Sequence, residues 1–172
     1  MNILTKHIIL IGFMGTGKTT VGVELAKSLS ISFFDTDQEI EKEEGKNISE
    51  IFKDSGEEYF RRLETEVLIK LTTDERPSVI ATGGGIILSD KNRSIMNNFP
   101  TILLQATPEE IYARIKDNHD RPLLHNGKDL LSHITLLLKN RMDLYLEASK
   151  YIVTTGNKEI DLIIDEILKC IN

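Results

Sequence analysis

Gly12-Phe13-Met14-Gly15-Thr16-Gly17-Lys18-Thr19 is the stretch of this sequence whose residue types and spacing most directly prescribe chemistry. It matches G-x-x-x-x-G-K-[ST], follows a short apolar run and opens a helical pattern, the context in which such a loop wraps phosphate groups. Glycines let successive backbone N–H groups converge on phosphate oxygens, and the helix N-terminus adds partial positive charge. Gly15, Thr16 and Gly17 form the cradle, and Thr20 joins it from the first helical turn. Lys18 reaches the β- and γ-phosphates of ATP, while the Thr19 hydroxyl is a candidate ligand for Mg²⁺.

A phosphate loop does not say what receives the phosphate, and three further clusters have the types an acceptor site needs. Asp35-Thr36-Asp37 ends the second predicted strand, facing the loop. Two carboxylates two residues apart on extended chain point the same way. One of them can organise the Mg²⁺ water shell while the other binds substrate hydroxyls. Asp37 also has a plainer reading, as the N-cap of the helix that follows. Gly83-Gly84-Gly85 ends the third strand, where glycines permit close approach of a ligand to main-chain N–H groups; a tight turn alone needs one or two. Arg61, Arg121 and Arg141 complete the set, since guanidinium is the preferred bidentate partner of carboxylate and phosphate. Taken singly, each also reads as a solvated charge. Glu64 stands three residues from Arg61 and can pair with it on one helix face. His7, His119, His125 and His133 show no metal-ligand spacing and receive no role.

The elements that must position these residues are legible as short apolar runs and amphipathic stripes. Strands are predicted at His7–Ile11, Ile31–Phe34, Ser78–Thr82, Thr101–Gln105 and Tyr151–Thr154. Helices are predicted at Val21–Leu29, Tyr59–Leu71, Asp90–Asn98, Pro108–Lys116, Leu130–Tyr145 and Glu159–Ile171. Their alternation predicts a parallel sheet covered on both faces. Lys116 to Lys128 breaks the alternation with a polar run carrying Arg121, Pro122 and Gly127; loops of this length are often functional covers, and a plain surface excursion looks similar.

The 172 residues suffice for one domain with a sizeable core, and no repeat or linker divides them. A formal charge of −6 disfavours nucleic acid or an anionic membrane as partner unless basic residues cluster locally. The single cysteine, Cys170, excludes an internal disulfide framework. No apolar run approaches the roughly 20 residues that span a bilayer. The N-terminus has no signal-peptide layout, so a cytoplasmic protein is expected.

Taken in order and spacing, Asp35-Thr36-Asp37, Phe60-Arg61-Arg62-Leu63-Glu64, Gly83-Gly84-Gly85 and Arg121-Pro122-Leu123-Leu124 resemble the shikimate kinase family along essentially the whole chain. Arg141 followed by Leu144-Tyr145 completes the pattern. The resemblance implies a three-layer α/β sandwich of the P-loop, nucleoside monophosphate kinase-like kind. Its central parallel sheet would have five strands, with a substrate-binding region over about 38–72 and a mobile lid over about 116–128. It implies that Asp37 binds the shikimate hydroxyls, including the one that attacks. Arg61 and Arg141 would clamp the carboxylate, with Gly83, Gly84 and Gly85 donating from the backbone. Thr19 and Asp35 would hold the Mg²⁺ shell. Lys18, Asp37 and Arg121 would be catalytic, Arg121 acting on the phosphates, with Arg114 against the adenine. Family members often carry an arginine in the adenine-side loop, where this chain has Thr154-Thr155-Gly156-Asn157-Lys158; Lys158 is the available substitute, though lysine cannot stack as a guanidinium does. The family resemblance implies a monomer. Two rivals are a gluconate-type or nucleotide kinase on a similar fold, and a nucleotide-binding switch without catalysis. Lys18, Arg61, Arg114, Arg121 and Arg141 come from separated positions and are expected to converge on one positive cleft inside an acidic exterior.

Overall fold

In a computed structural model, residues 6–116 and 129–171 are described. The first strand, β1 (Ile8–Ile11), is four aliphatic residues with no solvent exposure, so it must lie at the centre of a sheet covered on both sides. β2 (Ser32–Asp35), β3 (Ser78–Ala81), β4 (Thr101–Gln105) and β5 (Tyr151–Thr154) join it in the order β2-β3-β1-β4-β5. All four pairings are parallel, with Leu10 opposite both Ala81 and Ile102. The predicted strands and their parallel arrangement are therefore present, each within a residue or so of its expected ends.

Alternation along β1 assigns the helices to faces. Ile8 and Leu10 pack with Val21 and Leu25 of α1 (Lys18–Leu29) and with Ile163 and Ile167 of α7 (Ile160–Ile171). Ile9 and Ile11 face the other way, onto Leu68 of α3 (Ile48–Thr73), Met96 of α4 (Asp90–Met96), and Tyr145 and Ala148 of α6 (Leu130–Ala148). Two satellite clusters extend this core. Ile40 of α2 (Thr36–Glu44) packs with Ile51, Phe60 and Leu63 of α3. Ile111 and Ile115 of α5 (Pro108–Ile115) pack with Phe13 and with Ile134 and Leu138 of α6.

The departures from expectation lie where polarity hides the pattern. α2 has only one fully buried apolar residue, Ile40, and carries six charged side chains among its nine residues, so its stripe is too thin to read from the sequence. α3 begins eleven residues before the predicted Tyr59, behind an Asn47–Glu50 capping box, and is bent at Gly56, whose φ of 82° and ψ of 174° are non-helical. His7 fastens the far end of the sheet, its ring nitrogens 2.8 Å from Ser78 Oγ and from the Asp74 carbonyl. No described helix is long and apolar enough to cross a membrane.

Candidate active site

The phosphate loop leaves the C-terminal end of the central strand, between neighbours that belong to opposite halves of the strand order, where α/β sheets open a crevice. Gly15 and Gly17 take φ values of 77° and 93°, a left-handed backbone that side chains resist. Gly17 is the N-cap of α1, and the first turn of this helix holds no acidic residue of its own, so its positive pole faces the loop. Lys18 Nζ arches back to donate to the carbonyls of Gly12 and Phe13, both at 2.8 Å. Thr20 is exposed in the first turn.

Next to the loop, Thr19 Oγ1 donates to Asp35 Oδ2 at 2.8 Å, and Asp35 Oδ1 accepts from the Asp37 N–H at 3.0 Å. Asp35 is thus the N-cap of α2, while Asp37 sits in its first turn. The plainer reading of Asp37 as the cap falls to its neighbour, and the two carboxylates are related by a helical step rather than by a strand. Thr19 and Asp35 offer a hydroxyl and a carboxylate side by side, hard oxygen donors of the kind Mg²⁺ takes alongside nucleotide phosphates and water. Among the described residues no group of three or more His, Cys, Asp or Glu side chains could hold a metal, so no all-protein cage competes with that arrangement.

The triple glycine forms the wall between the loop and a charged cluster. A Cβ on Gly84 would lie 3.4 Å from Met14 N and 3.5 Å from the Gly12 carbonyl, so this peptide runs alongside the phosphate loop. On the other flank, a Cβ on Gly83 would lie 2.6 Å from Asp37 Oδ1 and 2.9 Å from Glu64 Oε1, and one on Gly85 would collide with the Arg61 guanidinium. Gly83 and Gly85 thus leave room for the Asp37, Glu64 and Arg61 side-chain ends to close on the turn. The turn is pinned from both sides: Thr36 Oγ1 accepts from Gly83 N at 3.1 Å, and the Tyr145 hydroxyl donates to the Gly84 carbonyl at 2.6 Å.

Arg61 Nη1 donates to Glu64 Oε2 at 2.6 Å and Nη2 to Glu57 Oε1 at 3.1 Å, with the guanidinium 5.4 Å from the Phe60 ring centre. Glu64 is 1% exposed, and its second carboxylate oxygen has no hydrogen-bond partner among the described residues. Burial pushes its pKa up to about 7, with Arg61 opposing and Asp37 and Glu57 adding to the rise. Tyr145 is equally buried, and desolvation pushes its hydroxyl up to about 12 against the pull of Arg141 and Arg61 nearby. These influences put Arg61 and Arg141, 80 residues apart in the sequence, around one buried hydroxyl.

Arg114 reaches the loop from α5, donating from Nη1 to the Gly15 carbonyl at 2.9 Å and from Nη2 to the Thr155 carbonyl at 3.0 Å. Lys158 is directed elsewhere: its amine lies 2.8 Å from both carboxylate oxygens of Glu166 on α7. Arg121, the 117–128 part of the expected lid, His119 and His125 lie outside the described residues. In the sequence Glu64 and Tyr145 stand out only as companions of Arg61 and Arg141. Glu64 is a carboxylate inside an otherwise apolar stripe of α3, and that break was the available signal for its burial.

The fold and this crevice define a P-loop phosphotransferase of the small-molecule kinase class. The family model described as shikimate kinase matches residues 14–172. The chain belongs to the shikimate kinase family. A shikimate kinase of Caldanaerobacter subterraneus subsp. tengcongensis is 42% identical over 165 residues, which cover 95% of each chain. The solved structure of shikimate kinase from Acinetobacter baumannii in complex with shikimate is similar at a TM-score of 0.91 and 37% identity, covering 96% of this chain and 92% of that one. A gluconokinase from Sinorhizobium meliloti 1021, with a TM-score of 0.55 and 16% identity over 97% of this chain and 91% of its own, shares the fold alone.

Proposed function

We propose that this chain transfers the γ-phosphoryl group of ATP to the 3-hydroxyl of shikimate, giving shikimate 3-phosphate and ADP. The observation that carries the reading is the pair Arg61 and Arg141 around Tyr145, beside a Gly84 peptide that runs along the phosphate loop. That arrangement offers two guanidinium groups, the preferred partners of a carboxylate, beside the turn that borders the phosphate loop.

Arg61 and Arg141 clamp the carboxylate, and the N–H groups of residues 83–85 complete the acceptor pocket. Asp37 binds the reacting hydroxyl, orients it in line with the γ-phosphorus and takes its proton as the new O–P bond forms and the bond to ADP breaks. A loose transition state does not require early deprotonation, so a carboxylate that orients the hydroxyl suffices. Lys18 and the N–H groups of Gly15, Thr16, Gly17 and neighbours hold the β- and γ-phosphates, joined by Arg121 as the family resemblance assigns it. Arg114 lies against the base, and Thr20 lines the α-phosphate end. Lys158 is a candidate adenine contact that must first leave Glu166. Thr19 and Asp35 hold Mg²⁺ with ATP, and the ion when bound neutralises phosphate charge. The 38–72 segment serves as the acceptor region and 116–128 as the lid of a monomeric cytoplasmic enzyme that works without nucleic acid or membrane.

A coupled assay of ADP release with shikimate, gluconate and nucleoside monophosphates tests this. Stimulation by shikimate alone is expected. Stimulation by gluconate instead would transfer the chain to the rival reading, and no stimulation by any acceptor would leave a nucleotide-binding protein.

A further inference from the structure

Thr155 is the first residue beyond β5 and is 3% exposed, yet its hydroxyl meets three polar partners. Its own N–H donates to the Gln105 carbonyl at 2.7 Å, extending the ladder between β4 and β5 by one rung. The hydroxyl has one proton and two carbonyls within reach, Thr16 O at 2.9 Å and Gln105 O at 3.3 Å. Gln105 O is already satisfied at shorter range, so the proton goes to Thr16 O. The hydroxyl oxygen then accepts from Arg114 Nη1 at 3.3 Å, while the Thr155 carbonyl accepts from Nη2 at 3.0 Å.

The next residue lies close against the same helix. A Cβ on Gly156 would collide with both carboxylate oxygens of Glu110, whose Oε2 accepts from the Thr107 N–H at 2.8 Å in the capping box of α5. Glu110 and Arg114 stand one helical turn apart on α5, so consecutive residues of the β5–α7 loop run along one face of it: Thr155 bonds Arg114, and Gly156 leaves room for Glu110.

We propose that Thr155 is a positioning residue for the nucleotide, which sets the aim of the phosphate loop's Gly17 N–H and the register of Arg114 relative to it. In a trans peptide the C=O and N–H point in opposite directions. Holding Thr16 O on Thr155 therefore turns the Gly17 N–H away from β5, toward the side where the loop receives phosphate. The same hydroxyl fixes one prong of the Arg114 fork, whose Nη1 also bonds Gly15 O at 2.9 Å. A residue 139 positions from Thr16 thus completes the loop that the eight-residue motif begins. The inference rests on the proposed function only in taking the loop's ligand to be a nucleoside triphosphate.

Thr155→Val keeps the shape and removes the hydroxyl, and Thr155→Ser restores it. For Val the KM for ATP and the Kd for ADP by calorimetry are expected to rise about tenfold, with the shikimate KM within about twofold. Ser is expected to return the nucleotide values to within about twofold of the unaltered protein, a rescue that mere filling of space would not predict. A Val variant with unchanged nucleotide affinity overturns the proposal. So does a Ser variant as weak as Val, or an equal rise in both KM values. If Val does not fold, Ser still decides: a loss of nucleotide affinity in a folded Ser variant is the overturning result and retention the supporting one. Should the unaltered protein ignore shikimate, the shikimate reading fails while the ADP calorimetry still judges Thr155.

Discussion

The two walls of the crevice are built by opposite means. On the nucleotide side, positive side chains end on backbone carbonyls: Lys18 on Gly12 and Phe13, Arg114 on Gly15 and Thr155. On the acceptor side, Arg61 ends on Glu64 and Glu57, with Asp37 close enough to raise the Glu64 pKa. A carbonyl does not titrate, so those contacts of the first wall add no pH dependence of their own. The second holds a buried carboxylate that changes charge near neutrality. Glu64 should therefore lend its pH dependence to acceptor affinity and not to nucleotide affinity, and the two should be separable by mutation.

The sharpest separation comes from one lysine and one arginine. Lys18→Ala is expected to reduce kcat by roughly three orders of magnitude, because a cation placed at the transferring phosphate acts mainly in the transition state. Its melting temperature should stay within about 2 °C, since Lys18 is half-buried at the loop and lies outside the apolar core. Retention of near-normal turnover would remove the nucleotide wall from the mechanism. Arg61→Ala is expected to weaken shikimate binding about a hundredfold while the ATP KM changes by less than about twofold. It also leaves Glu64 buried without its cation, so a stability loss on the order of 1–2 kcal/mol in urea should accompany it. Equal losses for both substrates would dissolve the comparison.

Glu64 gives the pH arm its sign. Its native pKa of about 7 lies above the value of about 4.3 expected in an unfolded chain. Between those values the folded protein holds a proton that the unfolded chain has released. This group's stabilisation is therefore complete below about pH 4 and is lost as the pH rises through 7. Relative to Glu64→Gln, the native protein should lose on the order of 2 kcal/mol of unfolding free energy between pH 5.5 and 8.5. Ionisation also returns a negative charge to Arg61, which then shares its guanidinium less freely with a substrate carboxylate. The shikimate KM should rise several-fold over that interval, by an amount on the order of one pKa unit of coupling. The ATP KM should follow the same pH profile in the native protein and in Glu64→Gln, as the nucleotide's own terminal phosphate dictates, while the substitution should abolish the Glu64-dependent shikimate trend. A flat profile in the native protein would place the Glu64 titration outside the working range.

The same contrast explains what could be read from the sequence. Most of the nucleotide wall lies in one contiguous loop on the strand with the plainest apolar run, so its residues and its place at the C-terminal end of β1 were legible. The acceptor wall is assembled from α2, α3, the turn after β3 and α6, and its parts were legible only as an ordered pattern. α2 escaped notice because six of its nine residues are charged. The burial of Glu64 was hidden because a carboxylate three residues from an arginine reads as a surface pair, and only the packing of α3 on β3 turns it inward. Thr155 gave no signal, since a threonine after a strand is common and its partner is a main-chain carbonyl that no side-chain pattern encodes.

Lys158 supplies the smallest effect and the finest test of the nucleotide wall. Its position in the β5–α7 loop suits an adenine contact, but its amine is paired with Glu166, at side-chain exposures of 28% and 42%. An ion pair that open to solvent is worth about 0.2–1 kcal/mol, so it holds the lysine without locking it. If the wall is built on backbone and on Arg114, Lys158→Ala should change the ATP KM by less than about twofold and lower stability by a few tenths of a kcal/mol. Glu166→Gln, which releases the amine, should then leave the ATP KM equally unmoved. If instead the lysine crosses to the base when nucleotide binds, Glu166→Gln should tighten ATP while Lys158→Ala weakens it. That opposite pair of shifts would add a second lysine to the nucleotide wall beside Lys18.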